Sequence, residues 1–97
     1  MMPAYVVGHI RVRDPQKWQE YVSQAGATFS RHSGSVVFRG SKTKTLAGEH
    51  DADQVVVLRF PDQAAVDHWF GSPEYQSLIL LREQAADVTL VSYESQQ

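Results

Sequence analysis

Hydrophobic and polar residues alternate with a period of two along residues 4–13, AYVVGHIRVR. This alternation, together with the β-branched residues in it, predicts a strand with one apolar side. Asp14 and Pro15 follow as an N-cap and a first helical residue, so a helix is expected to begin there. Apolar residues then recur at helical spacing from Trp18 to Phe29, which predicts that this helix is amphipathic.

Three further strands are predicted along the rest of the chain. They are SVVFR at residues 35–39, QVVVLRF at residues 54–60 and VTLVSYE at residues 88–94. The polar stretch of residues 40–53 separates the first two of them and is expected to be an irregular connection. Within it, residues 45–48 are expected to extend the strand pairing.

HWFGSPEYQSL, residues 68–78, is the most distinctive segment of the chain, and we interpret it as a break between two helices. Gly71 is expected to end the first helix. Ser72 and Pro73 suit the N-cap and the first position of the second helix, which is expected to run to about Ala86. The segment is therefore assigned to the fold rather than to catalysis.

The order strand, helix, strand, strand, helix pair, strand determines the expected architecture. Each strand–helix–strand half forms a right-handed crossover. Two interleaved halves give the ferredoxin-like α+β fold, βαββαβ, which has a four-stranded antiparallel sheet with helices on one face. The 97 residues suit a single domain, residues 1–97.

Composition and charge exclude several classes of protein. The net charge of −2 gives no electrostatic reason to expect nucleic acid or an acidic membrane surface as a partner. The absence of cysteine excludes disulfides and thiolate chemistry. Neither an apolar run of about 20 residues nor a signal peptide is present, so a cytoplasmic protein is expected. The sequence also lacks metal-ligand spacing and phosphate-binding loops, so neither a metal nor a cofactor is predicted.

Most of the chain resembles a group of small, uncharacterised proteins in the dimeric α/β-barrel superfamily. The segments that carry the resemblance are residues 4–21, 36–40, 55–78 and 88–94, and Arg-Phe-Pro-Asp followed by Trp-Phe-Gly-Ser-Pro-Glu-Tyr-Gln is their most typical part. The resemblance implies a homodimer whose two sheets face each other and enclose a barrel-like space. Relatives in the superfamily include cofactor-independent monooxygenases, muconolactone isomerases, haem degraders and proteins without known activity, so the resemblance implies a fold more than a reaction.

Strand parity predicts which residues face away from the helices. The residues expected on the helix side are Val6, Ile10, Val12, Val36, Phe38, Val56, Leu58, Phe60, Val88 and Leu90. Those expected on the other side are Tyr5, Val7, His9, Arg11, Val37, Arg39, Val55, Val57, Arg59, Thr89, Val91 and Tyr93. Three strands thus place an arginine on the face that a dimer would bury. Because a buried, unpaired arginine is costly, each must meet a carboxylate, solvent or an anionic ligand.

Two interpretations of these arginines are open. In the first they form interface salt bridges, for which the candidate partners are Glu49, Asp51, Asp53 and Glu94. In the second they line a cavity for a small carboxylate or enolate, with Arg39 and Arg59 as anchors, because guanidinium forks match planar carboxylates. A one-residue bulge at Gly8 or Gly40 would reverse part of the parity.

His9 is the candidate acid or base, because imidazole exchanges protons near neutral pH. The alternative is a hydrogen-bonded interior histidine without a catalytic role. His50, in the long connection, is either a solvated residue or one that folds over the mouth of the barrel. The remaining candidate ligand-binding residues are Tyr5, Arg11, Arg39, Arg59, Trp18 and Tyr75.

The predicted function is the binding of a small anionic or aromatic metabolite, such as a carboxylate, inside the barrel of a homodimer. One alternative is a non-catalytic structural or interaction protein. The superfamily resemblance adds a cofactor-independent monooxygenase or isomerase as another alternative.

Overall fold

The computed structural model describes residues 2–96 of the chain. The elements in chain order are β1 (Ala4–Val12), α1 (Pro15–Ser30), β2 (Ser35–Ser41), β3 (Gln54–Phe60), α2 (Gln63–Phe70), α3 (Pro73–Gln76), α4 (Ile79–Ala85) and β4 (Ala86–Glu94). The predicted order of strands and helices is confirmed, and the bounds of β3 are those predicted. Residues 45–48 lie outside any strand, so the prediction that they extend the pairing is wrong.

The four strands form one antiparallel sheet in the order β2-β3-β1-β4. The two strands at its centre, β1 and β3, belong to different halves of the chain, which is the interleaving expected for the ferredoxin-like fold. Strand β1 pairs with β3 on one side and with β4 on the other, so that Tyr5 lies opposite both Arg59 and Tyr93. The predicted α+β, ferredoxin-like architecture is therefore confirmed.

The helices begin where side-chain caps are available. Asp14, Asp62 and Ser72 each accept a hydrogen bond from the backbone N–H three residues later, at 3.2, 2.9 and 3.3 Å. Each such bond satisfies a donor that the first helical turn leaves free and stabilises the helix by about 1 kcal/mol. The helix predicted after Ser72 is not continuous, since α3 ends at Gln76 and α4 begins at Ile79.

The core lies between the helices and the central strands. Phe60 and Tyr75 are fully buried, and Trp69 packs against both of them. The indole N–H of Trp69 donates to Thr28 Oγ1 at 3.0 Å, and this hydroxyl donates to the carbonyl of Ala25 at 2.7 Å. Burying each large side chain contributes roughly 1.5–3 kcal/mol, and the Thr28 bridge prevents the indole from being an unsatisfied donor.

A β-bulge between Val36 and Phe38 changes the faces of β2. Val36 lies opposite Leu58, but Phe38 lies opposite Val57, the neighbouring residue on β3. Two residues of β2 therefore span one position of its partner, and Val37 is the extra residue. Because directly opposite residues of antiparallel strands share a face, every residue after the bulge is turned over relative to a regular strand.

The bulge corrects two predictions of strand parity. Phe38 lies on the side of the sheet away from the helices, and Arg39, opposite Val56, lies on the helix side. Strand parity predicts the opposite side for both. The bulge lies at Val37, so the positions that the sequence suggests for it, Gly8 and Gly40, are wrong.

The side of the sheet that faces away from the helices is called the open face below. Its residues include Tyr5, Val7, His9, Arg11, Phe38, Val55, Val57, Arg59, Thr89, Val91 and Tyr93. On β1, β3 and β4 these are the residues that parity predicted. In residues 2–96, no helix is long and apolar enough to cross a membrane.

Candidate functional site

Two histidines meet at one end of the open face. His9 Nδ1 of β1 lies 3.2 Å from Nε2 of His50, which belongs to the β2–β3 connection, and the two rings are nearly perpendicular. His50 Nδ1 in turn lies 3.2 Å from the carbonyl oxygen of Ala52. These two residues, His9 and His50, are called the histidine pair.

The hydrogen bonds determine where the protons of the neutral pair lie. A carbonyl only accepts, so His50 carries its proton on Nδ1 and donates it to Ala52. His50 Nε2 is then an acceptor, and His9 donates to it from Nδ1. His9 Nε2 is left without a proton and is the basic atom of the pair. It can take up one proton while both existing bonds are kept, which suits a general base.

The β2–β3 connection is fixed by hydrogen bonds at its two ends. Lys42 N–H donates to the carbonyl of Asp53 at 2.7 Å, and Asp53 N–H donates to the carbonyl of Ile10 at 3.1 Å. The ammonium group of Lys42 also donates to the carbonyl of His50, at 2.7 Å. The backbone that carries His50 is thereby held against β1, over the end of the open face.

A cleft of about 500 Å³ lies between this connection and the open face. It is called the lysine cleft, and its lining residues are His9, Phe38, Gly40, Ser41, Lys42, Lys44, Thr45, Ala47, Glu49, His50, Ala52, Gln54 and Val55. Phe38 and Val55 supply apolar surface from the sheet, and Lys42 and Lys44 outnumber the one carboxylate. The cleft thus combines apolar surface, positive charge and the histidine pair.

A second cleft, of about 610 Å³, lies on the other side of the histidine pair. Arg11 and Arg13 line it, and both contact Asp87, at 3.4 and 3.0 Å. Its lining also includes the carboxylates of Glu49, Asp51 and Glu83, so negative groups outnumber positive ones. This cleft therefore does not favour an anionic ligand.

Arg11 forms a salt bridge within the chain, with a partner that was not among the expected ones. Antiparallel pairing places Asp87 of β4 directly opposite Arg11 of β1. Both side chains are about half exposed, so this bridge contributes at most about 1 kcal/mol. Within residues 2–96 Arg11 pairs with none of the expected partners Glu49, Asp51, Asp53 and Glu94, and salt bridges with them across a dimer interface stay a prediction.

Arg59 and Tyr5 lie at the far end of the open face from the histidine pair. They are opposite each other on β3 and β1, and Arg59 is exposed and makes no ion pair within residues 2–96. Tyr5 and His9 are four positions apart along β1, a distance of about 14 Å. The structure therefore brings His9 together with Phe38 and the lysines, and not with Arg59.

Arg39 and Trp18 are adjacent, but on the helix side of the sheet. Both line the same two small spaces between α1 and the strands. Arg39 is thus not an anchor on the open face, because the bulge turned it over. Trp18, which stacks on Tyr21 at 5.2 Å between ring centroids, does not border the open face either.

Tyr75 lies in the core, which corrects its predicted place at the rim of a pocket. Its hydroxyl oxygen lies 2.8 Å from that of Tyr21 and accepts a hydrogen bond from Arg82 Nη1 at 2.9 Å. Burial, with Tyr75 as a further cause, raises the pKa of Tyr21 well above its usual range. Burial is the largest influence on Arg82 and opposes its charge, but the hydrogen bond to Tyr75 and the electrostatic attraction of Tyr75, Tyr21 and Glu83 together raise its pKa.

Phe38, Lys42, Lys44 and His50 were absent from the candidate ligand-binding residues. One of the two expected places for His50 is the mouth of the barrel, and its contact with His9 agrees with that alternative. Phe38 could be found only by locating the bulge. The lysines depend on the path of the β2–β3 connection, for which the sequence carries no periodic signal.

The family model described as Domain of unknown function (DUF1330) matches residues 3–95. No curated protein matches the chain. A protein of unknown function from Rhodopseudomonas palustris has a similar structure, with a TM-score of 0.85 and 22% identity over 99% of this chain and 84% of that one.

Two other solved structures share the fold at lower identity. SnoaB, a cofactor-independent oxygenase from Streptomyces nogalater, has a TM-score of 0.73 and 14% identity over 100% of this chain and 96% of its own. A dimeric ferredoxin-like protein of unknown function from Jannaschia has a TM-score of 0.74 and 12% identity over 96% and 99%. At such identities the likeness shows the fold and not the chemistry.

Proposed function

Since the chain belongs to the family described as Domain of unknown function (DUF1330), we propose its function from its own residues. It is a homodimer that binds a small aromatic or anionic metabolite in the lysine cleft, beside the histidine pair. The observation that carries the proposal is the His9–His50 contact, which places a basic nitrogen next to an apolar and positively charged cleft.

The shape of the single chain supports the homodimer. It exposes 6200 Å², whereas a compact monomer of 10.9 kDa exposes about 5600 Å². Its smallest dimension is only 16 Å, because one layer of helices covers one side of the sheet. Phe38 and Tyr93 on the open face are 55% and 54% exposed. Pairing two open faces would bury these side chains and close the clefts beside them.

The lining of the lysine cleft supports the class of ligand. Phe38 offers an aromatic surface on which a ring can stack, and Lys44 is a cation without a partner in the described part of the chain. Lys42 is already bound to the connection and contributes charge rather than a free donor. A planar carboxylate with an aromatic or short apolar body satisfies both surfaces.

The histidine pair supports a proton transfer on the bound molecule. His9 Nε2 would remove a proton from a carbon or hydroxyl of the ligand, and His50 would hold the imidazole in the required tautomer. The nearby lysines would stabilise the negative charge that develops on the ligand. In this role His9 is the base, and His50 is a positioning residue.

Binding is tested with a panel of small aromatic acids, beginning with phenylacetate and 4-hydroxybenzoate, each compared with its neutral amide. Affinity is measured by calorimetry for the native protein and for the Phe38→Ala, Lys44→Met and His68→Gln variants. We expect Phe38→Ala to weaken binding at least about tenfold and Lys44→Met about threefold. His68, exposed on α2, is the control and should leave the affinity unchanged.

Equal affinities for acid and amide, or unchanged binding in both Phe38→Ala and Lys44→Met, would contradict the proposed site. If the whole panel fails to bind to a protein that is a stable dimer, a non-catalytic structural or interaction role becomes the better account.

Cofactor-independent oxygenation is a second candidate, suggested by the structural likeness to SnoaB. It would use the same first step, removal of a proton from an electron-rich substrate by His9. The substrate itself would then reduce O₂, taking one oxygen atom and releasing the other as water with two of its own hydrogens. Oxygen uptake with quinol substrates tests this, and the His9→Gln variant should abolish any uptake observed.

A further inference from the structure

Arg39 stands at the mouth of a crevice on the helix side of the sheet, away from the open face. The crevice has a volume of about 60 Å³ and lies between α1 and the strands. Its lining is almost entirely apolar and includes Trp18, Val22 and Trp69, with Arg39 as the charged residue. An unfilled apolar space with a single cation at its entrance suits an amphipathic molecule.

A larger space of about 210 Å³ continues the crevice towards solvent. The two share Ile10, Trp18, Arg39 and Val56, so they form one path from the surface to the underside of α1. The outer space adds polar groups from Ser41 and Gln54. Its size is sufficient for the body of a small organic acid, since a cavity of about 150 Å³ holds a benzene ring.

The guanidinium of Arg39 has no partner in residues 2–96. It makes neither an ion pair nor a hydrogen bond there, and neither space is lined by aspartate or glutamate. The other arginine-rich region differs, because Arg11 and Arg13 share Asp87. Like Arg59 on the open face, Arg39 therefore presents its two-pronged donor face to a carboxylate from outside the chain, and Arg39 is the one that lines the apolar crevice.

The bulge at Val37 is what creates this arrangement. In a regular strand Arg39 would point to the open face, with the other charged residues. The extra residue turns it towards the helices, where it meets Trp18 and the apolar crevice. A bulge disrupts the strand pairing locally and redirects side chains, and such irregularities occur frequently beside binding sites.

From these observations we infer that the crevice is a second ligand site, separate from the lysine cleft. It takes a small aliphatic monocarboxylate: the carboxylate binds Arg39, and a short branched tail enters the 60 Å³ space beside Trp18 and Val22. The inner space is smaller than a benzene cavity, so a branched alkyl end is preferred to a ring there.

The two tryptophans of the chain provide the readout, since Trp18 and Trp69 both line the crevice. Intrinsic fluorescence is followed while 4-methylpentanoate is added, with 4-methylpentan-1-ol as the uncharged probe. We expect the acid to bind at least about tenfold more tightly than the alcohol, because only the acid pairs with the guanidinium. Arg39→Gln should abolish this difference, and the matched control Arg31→Gln, an exposed residue at the end of α1, should keep it.

Two further variants separate this site from the lysine cleft and from misfolding. Val22→Leu fills the crevice without changing Arg39. It should lower the affinity of the acid at least several-fold and leave the circular dichroism spectrum unchanged. His9→Gln should leave the acid's affinity unchanged. The inference is overturned if millimolar acid leaves the fluorescence unaltered, if acid and alcohol bind equally, or if His9→Gln removes binding while Arg39→Gln keeps it.

Discussion

The hydroxyl of Tyr75 holds together the buried polar cluster of Tyr21, Tyr75 and Arg82, and its removal should be costly. The guanidinium side chain of Arg82 is only 13% exposed, and Tyr75 accepts its Nη1 hydrogen bond. The Nε of Arg82 is buried and has no partner in residues 2–96. The ion pair with Glu83 is long, at 3.6 Å, and its carboxylate is exposed.

Tyr75→Phe removes the acceptor of a buried cation and leaves Tyr21 without its bond as well. A hydrogen bond to a charged group contributes about 1.5–3 kcal/mol, and a neutral one about 1 kcal/mol. We therefore expect Tyr75→Phe to lower the free energy of unfolding by about 3 kcal/mol. Tyr21→Phe removes the neutral bond alone and should lower it by about 1 kcal/mol.

The assay is urea unfolding followed by circular dichroism, with all variants at one protomer concentration because a dimer's stability depends on concentration. The essential quantity is the difference between the two variants in free energy of unfolding. Both variants lose one tyrosine hydroxyl, but only Tyr75→Phe removes the acceptor of Arg82. Equal losses in both, or a larger loss in Tyr21→Phe, would refute the reasoning, since the charge of Arg82 would then be satisfied by other groups.

Three other predictions concern the core and the open face. Burial keeps Tyr21 protonated in the folded chain above pH 10, where the unfolded chain releases this proton. The free energy of unfolding should therefore fall as pH rises above about 10. The fall should be steeper in the native protein than in Tyr21→Phe, by up to about 1.4 kcal/mol per pH unit. An equal fall in both proteins, measured by urea titrations across that range, would contradict this. Val57→Asp on the open face should dissociate the proposed homodimer in sedimentation experiments, whereas Leu80→Asp, 71% exposed on α4, should not. The opposite outcome would place the interface on the helices. Thr28→Val should lower the free energy of unfolding, measured by thermal unfolding, by about 2 kcal/mol, because the indole of Trp69 loses its acceptor. Thr28→Ser keeps the hydroxyl and should retain most of the native stability. If the Ser variant is as unstable as the Val variant, the methyl group matters instead of the hydroxyl.

Local chemistry made much of the fold predictable. Asp14 and Ser72 are capping residues whose side chains form the predicted bonds, so these two helix starts follow directly from the sequence. The alternation on β1 and the apolar run of β3 likewise identify those strands. The break between α3 and α4 was missed because neither Ser77 nor Leu78 is a helix breaker by type.

The candidate site was less predictable because it depends on tertiary contacts. Val36, Val37 and Phe38 are all apolar, so the pattern of side chains gives no sign of which residue is extra, and Arg39 was assigned to the wrong face. The contact between His9 and His50 spans the long connection, whose path depends on the bonds of Lys42. The sequence pattern places His9 on the side of β1 that faces away from the helices, but it does not identify His50 as its partner.

The histidine side chains allow the most direct test of the central claim, that a ligand binds beside the histidine pair. The protein has four histidines, of which two form the pair and the others, His32 and His68, lie on or beside the helices. In a titration with the aromatic acids, the imidazole NMR signals of His9 and His50 should shift together at one affinity, and those of His32 and His68 should stay in place. If every acid that binds shifts only His32 or His68, or leaves all four signals unmoved, the histidine pair is not at the binding site.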